Sequence, residues 1–195
     1  MNSKVAKTFI FSIAGLALIL LGMILVKPLL QDYREAHRYD FYLDTHDGPI
    51  SLKSFQGKAI ALYFGYMYCP DVCPTSLSKM TEALQTLSKE DQDKVQGIFV
   101  SVDPDRDTLK LIKDYARYFH DNYIGATSQS KEYLHDLVKR YGGSFKKVTL
   151  EGSDMGYSVN HTSDIYFFNK EGKFSGKVPH LSRQEDIIKA LKKAL

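Results

Sequence analysis

The chain has 195 residues, is 44% hydrophobic and 25% charged, and carries a formal charge of only +3, most of it from Lys4, Lys7 and Lys27 against Asp32. A nucleic-acid-binding domain would gather a larger basic excess on one face, so the balance argues against a polyanion partner, and the Lys-rich stretch 189–193 reads as a solvated helix face. Without repeats or low-complexity tracts, the roughly 160 residues beyond Asp32 suffice for one domain with one core.

After a short head, residues 1–8, the stretch 9–26 is apolar and uncharged and has the length expected of a membrane-spanning helix. Lys4 and Lys7 before it, against Lys27 after it, favour a cytoplasmic N-terminus. Lys27-Pro28-Leu29-Leu30-Gln31 shows no small-x-small cleavage pattern, and no cysteine follows for a lipid anchor, so an uncleaved anchor is expected. The domain would then sit outside the cytoplasm on an inner membrane, in a periplasm or equivalent space where disulfides persist. Residues 27–40 read as a tether, leaving 41–195 as the folded domain.

In that domain, Phe41 to Leu43 and Ile50 to Leu52 flank a His-Asp-Gly turn and suggest a hairpin. Ala59 to Tyr66 is a dense apolar run suited to a central strand covered on both faces. Leu77, Met80, Leu84 and Leu87 mark an amphipathic helix starting near Pro74. Val95 to Val102 is a second buried strand, and the turn Asp103 to Thr108 leads into a helix with Leu109, Ile112, Tyr115, Ala116 and Phe119 inward, capped at Asp107 or Thr108. A short strand at Tyr123-Ile124 follows, then a helix from Ser130 to Tyr141 closed by Gly142-Gly143, strands Phe145 to Leu150 and Asp164 to Asn169, and a last helix from Arg183 to Leu195. The alternation predicts an α/β domain with helices on both faces of a central mixed sheet, its late strands pairing as a hairpin.

The only two cysteines, Cys69 and Cys73, lie where the first buried strand gives way to its helix, at the strand end where open α/β sheets place their sites. If both open the helix, the i, i+4 spacing puts them on one face, close enough to bridge or to grip one soft metal ion, and the helix start favours their thiolates. A merely structural bridge is disfavoured, because so short a loop restricts the unfolded chain little. A redox pair and a metal site remain. Of the six histidines, His37, His46, His120, His135 and His180 read as solvated positions on the tether, a turn, charged helical stretches and a loop. His161 differs, because Val159 to Asp164 is a polar segment feeding directly into a strand, which places it on a loop held by the sheet.

Several elements together resemble the Sco/SenC family: Asp44-x-x-x-Gly48; Phe55-x-Gly57-Lys58; Tyr63-Phe64-Gly65-Tyr66-x-x-Cys69-Pro70-Asp71-x-Cys73-Pro74; Ser101-x-Asp103-Pro104-x-Arg106-Asp107-Thr108; and Asn160-His161-Thr162-Ser163. The resemblance covers essentially the whole soluble domain and extends to the apolar stretch 9–26. It implies a thioredoxin-like fold and a membrane-anchored copper chaperone of cytochrome c oxidase assembly, with Cys69, Cys73 and His161 as metal ligands, a copper-accepting oxidase subunit as client, and a thiol reductant or second copper chaperone as further partners. Two departures stand out: Leu109 follows Asp107-Thr108 where the family commonly has Pro, and Gly125-Ala126-Thr127-Ser128 replaces a Gly-Leu-Thr-Gly element.

Two thiolates and an imidazole form a soft donor set suited to Cu(I) and able to hold Cu(II), whereas structural zinc would normally want four protein ligands. The same cysteines would serve as the redox-active pair of a thiol-disulfide oxidoreductase, although such enzymes more usually carry CxxC. A thiol peroxidase would need an activating arginine, for which Arg106 is the motif-borne candidate, but an ion pair organising the Asp103 to Asp107 turn is its expected role. Asp103 and Asp164 are expected to serve turns or helix caps ahead of supporting a metal site.

Overall fold

The computed structural model describes residues 15, 22, 24–30, 33 and 37–195. The head 1–8 and most of the stretch 9–26 lie outside the described residues; residues 15, 22, 24–30 and 33 are helical, so helix continues past Val26 into the segment expected to be a tether. Among the described residues no helix is long and apolar enough to cross a membrane. Tyr39–Leu195 forms a compact unit of its own.

In that unit, strands β1 (Tyr42–Thr45) and β2 (Gly48–Ser51) form the expected hairpin, followed by a 3-10 turn at Leu52–Phe55. Strand β3 (Ala59–Gly65) is buried at every position. Helix α1 (Val72–Gln85) begins two residues before Pro74 and buries Leu77, Met80 and Leu84, while α2 (Lys89–Asp93) is a short turn of helix with no buried residue. Strand β4 (Val95–Ser101) is fully buried, and α3 (Leu109–Phe119) is capped by Thr108, whose hydroxyl accepts from the Leu111 amide. Strand β5 (Tyr123–Thr127) and α4 (Lys131–Arg140) follow, the latter capped by the Ser130 hydroxyl. Strands β6 (Phe145–Thr149), β7 (Tyr157–His161), β8 (Asp164–Phe168) and β9 (Phe174–Pro179) precede α5 (Gln184–Ala194).

Seven strands form one sheet in the order β2-β1-β5-β4-β3-β8-β9. The centre, β5-β4-β3, is parallel, and β1, β8 and β9 each join antiparallel, giving the mixed sheet expected from the alternation. Because neighbouring residues of a strand face opposite ways, Tyr63 looks toward α1 while Phe64 packs edge-on against Tyr141 at the end of α4, 5.1 Å between centroids. Helix α3 joins the α1 face through Tyr115, which packs on Phe99, the β4 partner of Tyr63. Helices therefore cover both faces.

Three expectations need correction. The short strand expected at Tyr123-Ile124 runs on to Thr127 and takes in most of the Gly125 to Ser128 element, because without a side chain at Gly125 the α3 backbone can come close: a Cβ there would sit 2.1 Å from the Ile112 carbonyl oxygen. Strand β9, unforeseen as a separate element, supplies the late hairpin by pairing with β8 across a turn at Gly172, whose φ is +74°. Finally, His161 is not on a loop. It is the last residue of β7, which pairs with β6 in a two-stranded sheet of its own.

Candidate metal centre

Strand β3 ends at Gly65, and the segment Tyr66 to Asp71 carries the chain over to α1. Cys73 is the second residue of α1 and fully buried, whereas Cys69 is half-buried and precedes the helix instead of opening it. The expected proximity holds for a different reason. The free Cys69 sulfur acts as an acceptor at the helix start, taking the Cys73 backbone N–H at 3.4 Å. Neither cysteine is bridged.

The crossing segment is held from beneath by Asp107. One of its carboxylate oxygens accepts from the Met67 amide at 3.0 Å and the Ser101 hydroxyl at 2.6 Å, and the Gly65 carbonyl accepts from the Val102 amide at 2.9 Å. Its other oxygen, Oδ1, is buried without a partner, and burial raises the carboxyl pKa. The sequence offered Asp107 only as a helix cap; its forty-residue reach to Met67 is a tertiary contact. Gly65 is needed for space, since a Cβ there would stand 2.9 Å from the Cys73 Sγ, the Phe99 ring and the Tyr63 ring alike.

His161 arrives from the other sheet. Its Nε2 lies 3.3 Å from the Cys73 Sγ, and its Nδ1 lies 3.1 Å from the Thr162 carbonyl. Nδ1 therefore donates its proton to that carbonyl, which leaves the Nε2 lone pair toward the sulfurs. The adjacent residue is pinned twice to Ser144: Thr162 N–H donates to the Ser144 carbonyl and Thr162 Oγ1 accepts from the Ser144 amide. Tyr63 and Tyr66 present their rings edge-on to the imidazole, at 6.2 and 5.8 Å. The Tyr63 hydroxyl is buried with no hydrogen bond, and burial, then the adjacent Cys73, push its pKa up.

The donor atoms of Cys69, Cys73 and His161 all lie within 4.8 Å of one another and could hold a metal ion. The two thiols differ sharply. A hydrogen bond from Cys73, aided by the backbone amides of Cys73 and Asp71, outweighs burial and lowers the Cys69 pKa to about 3. The same hydrogen bond to Cys69, then burial, push the Cys73 thiol far above the ordinary range. In the metal-free state Cys69 is thus the thiolate and Cys73 the thiol that donates to it.

The other candidates have different partners. His37 stacks on Tyr33, His135 stacks on Phe145 at 4.0 Å, and the His120 ring accepts from the Asn122 amide, with burial lowering its pKa. His46 is in the β1–β2 turn, and the His180 carbonyl accepts from Lys79. Asp164 pairs with Lys177 at 2.6 Å. Asp103 pairs with Arg106 at 2.6 Å, the turn-organising role expected of both.

The SCO1/SenC family profile matches residues 31–195. The chain belongs to the SCO1/SenC family. Among its relatives, the SCO2-like protein RC0895 of Rickettsia conorii is 34% identical over 136 residues, which span 69% of this chain and 65% of that protein. The fold is similar to that of Bradyrhizobium japonicum ScoI, solved with copper bound, with a TM-score of 0.68, 34% identity, and coverage of 80% of this chain and 98% of that one. It is also similar to Arabidopsis thaliana ScoI, likewise solved with copper bound, with a TM-score of 0.71, 32% identity, and coverage of 79% and 95%. The SCO1/SenC chain described here thus shares its fold with proteins that carry copper.

Proposed function

We propose that this SCO1/SenC protein is a membrane-anchored copper metallochaperone that holds copper with Cys69, Cys73 and His161 and passes it to the binuclear copper site of a cytochrome c oxidase subunit. The observation that carries the reading is the convergence of two sulfurs and one imidazole nitrogen, from distant parts of the chain, within 4.8 Å. Soft thiolates select Cu(I), and three donors suit it without the fourth that structural zinc would want. The copper-bound relatives support the choice of metal, and family membership supports the client.

Loading would start from one thiolate already formed. Cys69 is the first donor, the His161 Nε2 lone pair is free, and Cys73 must give up its proton as the metal binds, so uptake releases about one proton per site. Bridged sulfurs could not bind, so loading requires the reduced pair. For the anchor, the uncharged stretch 9–26 and the exposed Ile24, Leu25, Val26, Leu29 and Leu30 favour insertion of the N-terminal helix in an inner membrane, with the domain on the extracytoplasmic side and within reach of a membrane-bound client.

The test is copper titration of the reduced full-length protein in detergent beside its His161→Ala variant. About one copper per chain is expected, with weaker binding in the variant. Absence of stoichiometric copper would overturn the assignment, and full affinity in His161→Ala would remove the third ligand.

One observation favours a second reading, a thiol-disulfide oxidoreductase: the half-exposed Cys69 thiolate with the Cys73 thiol beneath it. Cys69 would attack a client disulfide, releasing one client thiolate and forming a mixed disulfide. Cys73, losing its proton, would then attack the Cys69 sulfur, releasing the second client thiolate and leaving a Cys69–Cys73 disulfide for an external thiol reductant to restore. Rapid catalytic turnover of insulin disulfides, unaffected by His161→Ala, would favour this reading over copper transfer.

A further inference from the structure

The hairpin that carries His161 is no part of the seven-stranded sheet, so something other than the main hydrogen-bond ladder must hold it against the cysteine segment. Much of that hold converges on Arg106, in the turn between β4 and α3. Its Nη1 donates to the Met155 carbonyl at 3.2 Å and the Tyr157 carbonyl at 3.0 Å, at the entry to β7. Its Nε donates to Asp103, which is fully buried, and Asp103 in turn accepts from the Tyr157 hydroxyl at 2.7 Å. The guanidinium carbon lies 3.7 Å from the Tyr157 ring centroid, 4.8 Å from that of Tyr68 and 5.9 Å from that of Tyr66. Tyr157 belongs to the histidine strand, whereas Tyr66 and Tyr68 belong to the cysteine segment. One planar cation thus lies among rings from both sides of the metal centre, and Tyr66 continues the contact edge-on to His161 itself.

The remaining nitrogen, Nη2, is buried and makes no hydrogen bond, so the aromatic faces are its available partners. Lysine cannot copy this arrangement, because its ammonium is a point charge without a fork that could reach Asp103 and two carbonyls at once. Lys147 adds a parallel tie by donating to Asp105 and to the Tyr157 hydroxyl, but it is more exposed.

We propose that Arg106 is a positioning residue for the metal centre: it fixes the His161-bearing hairpin against the segment that carries Cys69, and so sets the strength of the third ligand without touching it. The proposal rests on the three-ligand reading above. It distinguishes two contributions to copper binding, a dithiol seat built into the core and an imidazole whose placement depends on one clamp.

The experiment is a double-mutant cycle on the full-length protein in detergent, with Arg106→Lys and His161→Ala alone and combined, reading Cu(I) affinity by chelator competition. Amide exchange of residues 157–161 is measured on the metal-free protein in parallel. Arg106→Lys keeps a charge opposite buried Asp103; should it fail to fold, Tyr157→Phe, which removes the hydroxyl donated to Asp103 but keeps the ring, enters the cycle in its place. Arg106→Lys is expected to weaken copper about 10-fold, as changes to groups supporting a metal ligand commonly do, to speed exchange in β7, and to add no loss once His161 is alanine. Equal losses in both backgrounds, or no loss in the presence of His161, would overturn the proposal and leave Arg106 a fold-stabilising residue. No loss in His161→Ala alone would instead remove the third ligand, and the proposal with it.

Discussion

The two regions that meet at the candidate metal centre are built differently. The cysteine side rests on β3, a strand buried at all seven positions between β4 and β8, and Cys73 itself is sealed into the start of α1. The histidine side is a two-stranded hairpin in which Val159 is the one fully buried residue of β7 and every residue of β6 is at least partly exposed. Removing a core group costs several kcal/mol, whereas a satellite hairpin opens at a fraction of global stability. Under the proposed carrier function, the dithiol would stay formed while the third donor is withdrawn to pass copper on.

The largest expected effect breaks the core side. Cys73→Ser removes a buried thiolate donor and is expected to lower Cu(I) affinity by more than the ~10–100-fold typical of supporting groups, read by chelator competition. His161→Ala should fall short of that loss; equal losses would mean that the two sides carry the metal alike. Next, Gly65→Ala forces a methyl to within 2.9 Å of the Cys73 sulfur and two rings, so it should lower stability by about 1–3 kcal/mol in urea unfolding and weaken copper as well. A variant of unchanged stability would show that the cysteine seat is softer than its packing implies.

On the histidine side, Thr162→Val removes the hydroxyl oxygen that accepts from the Ser144 amide, and about 0.5–1.5 kcal/mol of stability is expected to go with it. If hairpin and core unfold independently, that loss will appear in amide exchange of residues 157–161 but not in the global urea midpoint. The smallest effect concerns pH. Burial raises the Asp107 pKa above 3.8, so this group contributes stability below that pH which is lost as pH rises through the folded value. Asp107→Asn should therefore gain on the parent protein in urea midpoint as pH rises from 3.8 through that raised value, and a constant difference would remove the assignment.

Much of the domain was readable from local pattern. The unbroken apolar runs at 59–66 and 95–102 became β3 and β4 because a central strand covered on both faces must be apolar on both. Thr108 and Ser130 capped their helices as short hydroxyl side chains do. Strand β7 was missed because Tyr157 to His161 is a largely polar run, whose strand character comes from pairing with β6 across a distant turn. Helix α2, five charged or polar residues with nothing buried, had no periodicity to read.

For the site, sequence alone determined the chemistry on offer. Two cysteines four residues apart at a strand-to-helix junction, with one histidine in a polar segment before a strand, limited the choice to a soft metal centre or a redox pair, because only thiolates and imidazole combine in that way. Tertiary structure decided the rest. Cys73 and His161, 88 positions apart in sequence, close to 3.3 Å only because β6 and β7 fold back across the cysteine segment. The division into a low-pKa Cys69 and a protonated Cys73 depends on which sulfur is buried and which accepts hydrogen bonds, properties of the folded surroundings that one-dimensional spacing does not contain.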